Sequence, residues 1–261
     1  MSIKDIGGEI LSYSNEAATQ FDPKSLDLAL LALNELAKRK LSKKITFDRN
    51  DILKFCESII AKNDDLQVQL IENLIGRGIS LDIIYETFIP EAAESLGNLW
   101  KENKVTFIEV NIGAQRLHRL SRIYEKQYLG PMYIFSEGPD ILLILPGQEV
   151  HTLGLVTASG IFKKNGANPF IAVGYSDEEI IELIKLQSFK LIGMSVSNSD
   201  NIASCIKTAK KIKKSITKNI PMVVGGQGIN QAKSPELFEV FDQITTNPSE
   251  ALELIKEPNY N

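Results

Sequence analysis

Histidine, cysteine and tryptophan are all scarce in this chain: its 261 residues hold two histidines, two cysteines and one tryptophan. Cys56 and Cys205 stand far apart and form no Cys-x-x-Cys spacing. That argues against a zinc site or a disulfide framework and leaves two core thiols as the reading. No apolar run approaches the roughly 20 residues needed to span a bilayer, and Met1-Ser2-Ile3-Lys4-Asp5 lacks the pattern of a secretory signal. The expectation is a cytoplasmic protein with no membrane partner. An excess of positive charge is missing too, since the formal net charge is -4. Phosphate binding wants a concentrated positive field, so no direct nucleic-acid partner is expected. One basic run exists, Lys207, Lys210, Lys211, Lys213 and Lys214, interleaved with Ile202, Ile206, Ala209 and Ile212 at helical spacing. It reads as the solvated face of an amphipathic helix. No nucleophile with its base, acid/base pair or closed metal site stands out, and the protein is expected not to be an enzyme.

What is present divides the chain in two. Residues 1–22 show no strong period and are expected to be a flexible arm, and residues 23–135 read as a helical bundle. Its first helix starts after Asp22-Pro23, with Leu26, Leu30, Leu33, Leu36 and Ala37 on one face. Ile52, Phe55, Cys56, Ile59 and Ile60 predict a second, capped by Asp48 or Asn50. Leu66, Leu70, Ile71, Leu74 and Ile75 predict a third, ended by Gly76-Arg77-Gly78. Ser80 can cap a fourth, which Pro90 is expected to kink or break before it resumes through Ala93, Leu96 and Trp100. A long helix opens at Thr106, runs through Ile112, Leu117, Leu120 and Tyr124, and stops at Gly130-Pro131, with a boundary near residue 135.

Residues 136–261 change period. Short apolar runs at 141–145, 169–173, 190–195, 221–224 and 243–245 alternate with helical patterns. Such alternation implies a parallel sheet with helices on both faces. The expected fold is a flavodoxin-like (Rossmann-like) five-stranded parallel α/β domain behind an N-terminal helical bundle cap. Gly226-Gln227-Gly228 lacks the full GxGxxG at the first strand-to-helix turn, which sets aside a dinucleotide site.

Three strand-end loops carry the chemistry. Glu149-Val150-His151-Thr152-Leu153-Gly154 follows the first strand, Ser195-Val196-Ser197 closes the third, and Gly225-Gly226 closes the fourth. Open α/β sheets bind ligands at such carboxyl-terminal loops. A metal-bound histidine usually hands its second ring N–H to a carboxylate, and Glu149 stands two residues before His151. Taken alone, His151 reads as an ordinary polar loop residue; the ordered set of three loops is what reverses that reading.

The set resembles the cobalamin-binding signature Asp-x-His-xx-Gly, Ser-x-Leu, Gly-Gly, with Glu149 for the Asp and Ser197 for the Leu. That resemblance implies His151 as the lower cobalt ligand in place of the nucleotide tail, with the tail in a slot where serines bond it and glycines leave room. Leu96-Gly97-Asn98-Leu99-Trp100 and, on the next helix, Glu109 resemble the helical cap of cobalamin-binding regulators, where a Trp covers the corrin. Trp100 reads equally as the plug of the bundle core, and Glu109 as the third residue of a capping box with Thr106. Lys101 stands where some of those regulators place an upper-ligand His, so that chemistry is not implied. His118 is expected at the edge of the packed stripe or at the linker rather than against a cofactor.

The whole plan resembles the AerR and PpaA antirepressors of photosynthetic bacteria. The resemblance implies adenosylcobalamin or hydroxocobalamin as cofactor, a light-responsive regulatory role and a repressor or other transcription factor as partner. The alternatives are a corrinoid methyl carrier of a methyltransferase system, a haem sensor using His151, and an interaction module that binds nothing.

Overall fold

The computed structural model describes residues 47–61, 63, 65–130, 137–147, 149–231 and 234–255. The expected arm, the helix after Asp22-Pro23 and the boundary near residue 135 lie outside these residues.

The helical part begins with α1 (Arg49–Ile60), whose cap is Asp48. Asp48 Oδ1 accepts from the Asp51 N–H at 2.9 Å, and Asp51 Oδ2 accepts from the Asp48 N–H at 3.3 Å. Arg77, just past α2 (Leu66–Gly76), grips the same Asp51 with two nitrogens at 2.6 and 3.0 Å. One acid thus caps a helix and fastens its neighbour.

From Leu81 the chain stays helical to Lys101, through a π turn at Ile84–Phe88 and then α3 (Ile89–Lys101). Pro90 does not break it, which corrects one of the two expected outcomes; the irregularity takes the form of the π turn just before it. In a regular helix Pro removes a donor and its ring meets the carbonyl four residues back. Here the Ile89 N–H reaches the Ile84 carbonyl across a wider turn, so Pro90 falls in the first turn of α3, where its missing N–H is not needed. The long helix α4 (Phe107–Leu129) completes this part, with Leu117, Leu120, Tyr124 and Tyr128 buried.

The sheet runs β1 (Asp140–Leu145), β2 (Asn168–Val173), β3 (Leu191–Ser195), β4 (Met222–Gly225) and β5 (Gln243–Ile244). All neighbours pair parallel, in the order β2-β1-β3-β4-β5. This is the flavodoxin-like fold expected from the sequence. The period of two divides β1 between two cores. Leu142 and Ile144 pack with α6 (Asp177–Leu186) and α7 (Ile202–Ser215), while Ile141, Leu143 and Leu145 pack with α5 (Leu153–Lys164) and the carboxyl-terminal α9 (Pro248–Ala251). Strand order reverses between β1 and β3, which opens a crevice at their carboxyl ends.

Two further expectations are met. Cys56 and Cys205 are buried free thiols. Lysines of α7 are held by acids: Lys210 by Glu236 of α8 (Glu236–Val240), Lys211 by Asp177 and Glu178, and Lys213 by Asp242. Among the described residues no helix is long and apolar enough to cross a membrane.

Candidate functional site

The crevice between β1 and β3 is built on one carboxylate. Glu149 is 6% exposed, and both of its oxygens are occupied. Oε1 accepts from the N–H groups of Val150 and His151, each at 3.0 Å, and from His151 Nδ1 at 2.5 Å. Oε2 accepts from the Ser197 N–H at 3.2 Å, from the Ser197 hydroxyl and from Asn201 Nδ2 at 2.6 Å. Burial pushes this carboxyl up. The hydrogen bonds from Ser197, His151 and Asn201 outweigh it and bring the pKa down to about 2.

An ionised carboxylate can only accept. His151 Nδ1 must therefore carry the proton at the 2.5 Å contact, and in the neutral ring Nε2 carries the lone pair. The His151 side chain is 66% exposed. A buried acid thus fixes the tautomer of an exposed imidazole and leaves its second nitrogen free of that clamp, an arrangement that suits a metal-ligating histidine.

Other expected residues fall around this clamp. Val150 is exposed. Thr152 precedes α5 without capping it, and Leu153 is buried in its first turn. A side chain built on Gly154 would meet only Ser195 Oγ, at 3.7 Å. The start of α5 and the end of β3 therefore lie close, with room between them for about a methyl group. Val196 is buried. Ser197, which the resemblance places at the tail slot, directs its hydroxyl to Glu149, with His151 Nδ1 at 3.1 Å. Gly225 and Gly226 serve close packing in the direction a side chain would take. A Cβ on Gly225 would press on the Thr245 carbonyl and one on Gly226 on the Val196 backbone, and Gly226 has φ +98°. These glycines let neighbouring strand-end loops approach closely.

In the cap, Trp100 ends α3 and is 47% exposed, with its ring 6.1 Å from that of Phe107. The core-plug reading of Trp100 is set aside. Glu109 forms the capping box with Thr106, accepting from its N–H at 2.7 Å and its hydroxyl at 2.8 Å. The Thr106 N–H chiefly holds its carboxyl below the usual range. His118 is half-buried and its Nε2 lies 3.3 Å from Thr152 Oγ1. Burial, followed by the charge of Arg122, lowers its pKa.

Two participants escaped the sequence reading. Asn201, at the entry to α7, completes the Glu149 clamp; an Asn before a helix reads as a cap, and only the loop's path brings it back to β1. The His118–Thr152 contact joins residues 34 apart, a pairing no periodicity encodes.

The donor set fits a corrinoid. Imidazole nitrogen is a ligand that cobalt accepts, and the clamp leaves the outer side of the His151 ring exposed. Residues 139–253 match the family model of the B12 binding domain. A curated relative, an uncharacterized 20.5 kDa protein in the bchF-crtJ intergenic region of Rhodobacter capsulatus, is 26% identical over 160 residues, 61% of this chain and 83% of its own. The fold is similar to that of the monomethylamine corrinoid protein of Methanosarcina barkeri, with a TM-score of 0.64 and 14% identity over 79% of this chain and 98% of that one.

Proposed function

Because the chain carries a B12 binding domain, we propose that it is a cobalamin-responsive regulator in which His151 binds cobalt through Nε2 and the helical cap reports the bound state to a partner repressor. The observation that carries this reading is the Glu149 clamp, which fixes the His151 tautomer and leaves Nε2 free of it on an exposed ring. Glu149 and Asn201 would hold the ring in place, and Ser195 would meet the nucleotide tail beside Gly154. Trp100 and Phe107 supply exposed aromatic surface on the cap, suited to covering a macrocycle. Bound cobalamin would supply an upper ligand that light or exchange can remove.

A switch of this kind needs two arrangements of the protein with different affinities for the cofactor states, because equal affinity shifts nothing. The relative from the bchF-crtJ region supports the regulatory reading; the fold, shared with a corrinoid protein, fits a methyl carrier as well.

Absorption spectra test the reading. Purified apo-protein is mixed in the dark with hydroxocobalamin, adenosylcobalamin and haem in turn, and again as His151→Ala. A cobalamin spectrum of the His-ligated, tail-displaced kind, lost in the variant, is the expected result. A haem Soret band without any cobalamin change would move the assignment to a haem sensor, and no change with either to an interaction module. Trp100→Phe tests the cap: cobalamin affinity and ligand-dependent change both untouched would remove Trp100 from the mechanism.

A further inference from the structure

The cap is fastened to α5 unevenly along its length. At the carboxyl-terminal end the Tyr85 ring lies where Gly160 has no side chain, and Lys163 pairs with Glu125 at 2.7 Å. Lys164 pairs with Asp82 and sits 4.2 Å from the Tyr128 ring centroid. Tyr128 in turn stacks on Tyr85 at 4.1 Å and donates to Glu86 at 2.6 Å. Aromatic packing, ion pairs and a cation–π contact therefore converge on one corner.

At the amino-terminal end, beside the cobalt-ligand loop, stands the hydrogen bond between Thr152 Oγ1 and His118 Nε2 at 3.3 Å. Burial keeps His118 toward its neutral form, so this bond lacks the strength of a charged pair. Thr152 precedes α5 at a position where threonine commonly accepts from its own helix's N–H groups. It makes no such bond and lies at φ -82°, ψ -15° rather than in the extended region. Its hydroxyl goes to the cap instead, and its neighbour in the chain is His151.

We propose that His118 and Thr152 form a releasable latch, with the Tyr85–Gly160 corner as the fixed pivot of the cap. His118 acts as a positioning residue: it holds α4 against the loop that carries His151, so a change in that loop is passed to the cap at its loosely held end. The use of the latch rests on the cobalamin reading above; its existence does not.

Hydrogen exchange on the full-length cofactor-free protein tests it. In His118→Ala and in Thr152→Val, amides at 107–120 are expected to exchange about fivefold faster, the factor corresponding to one neutral hydrogen bond, while 121–129 and 155–164 keep their rates. Thr152→Ser retains the hydroxyl and is expected to match the wild type. The double variant should exchange no faster than either single one, because each removes the same bond. Wild-type rates at 107–120 in both single variants, or equal acceleration at both ends of the interface, would overturn the latch. Failure of the cobalamin reading shows separately, as no absorption change on adding hydroxocobalamin to the wild type.

Discussion

Burial and hydrogen bonding oppose each other at Glu149, and hydrogen bonding wins. The consequence for stability has a definite sign. The folded-state pKa of about 2 lies below the ordinary value of 4.5, so the carboxylate's contribution is complete above about 4.5 and is lost as pH falls toward 2. Urea titrations of wild type and Glu149→Gln at pH 6, 4 and 3 should show the wild type losing its advantage across that window, on the order of 2–3 kcal/mol in all. Curves that stay parallel down to pH 3 would contradict the clamp. Supporting partners of metal-ligating histidines typically matter about 10–100-fold in affinity, and Glu149→Gln is expected to weaken hydroxocobalamin binding by that factor in an absorption titration. This much of the site was legible in the sequence, because Glu149 and His151 are two residues apart on a loop closed by Pro146-Gly147. Asn201 was not, since its role depends on how the loop after β3 folds back.

Secondary elements were legible where Gly, Pro and capping residues punctuate them. Thr106, Glu109 and Gly130 frame α4 as the pattern implies, because the cap bonds are local. Thr106→Ala is expected to cost about 1 kcal/mol, as a lost N-cap does, and to leave cobalamin affinity unchanged; a fall in affinity together with stability would return Glu109 to the cofactor. At Pro90 the local rule marked the irregularity but not its form. The π turn before it depends on tertiary packing, with Ile84, Tyr85 and Phe88 all buried. Gly226 combines a left-handed backbone with a Cβ position that the Val196 carbonyl already occupies. Gly226→Ala should therefore destabilise by at least about 1–3 kcal/mol, read as a lowered thermal midpoint. The sequence motif drew attention to this glycine for space for a tail; the structure adds a packing reason, the close approach of the Val196 backbone.

For the molecule as a whole, the described helical and α/β parts pack through α4 and α5, and a ligand that bound the folded crevice would raise global stability. If hydroxocobalamin binds only the folded state, a hundredfold excess over its Kd adds about 2.7 kcal/mol. Calorimetry should show the wild-type transition rising with hydroxocobalamin and that of His151→Ala rising far less. The packing itself is tested by Gly160→Ala. The added methyl meets the Tyr85 ring and hydroxyl, and Tyr85 is buried and stacked on Tyr128, so an overpacking cost of about 1–3 kcal/mol is expected. Neither the strand order nor this contact could be read from periodicity, which says which face is apolar but not which partner covers it.

Trp100, the chain's one tryptophan, stands half-exposed at the end of α3. Emission excited beyond the tyrosine absorption edge therefore comes from a single point on the cap. A visible-absorbing chromophore bound nearby would drain that emission by energy transfer, at a rate that falls with the sixth power of their separation. With such a chromophore bound, the depth of quenching would report how far the cap stands from it, and a change in that depth would report a movement of the cap, with no dye attached.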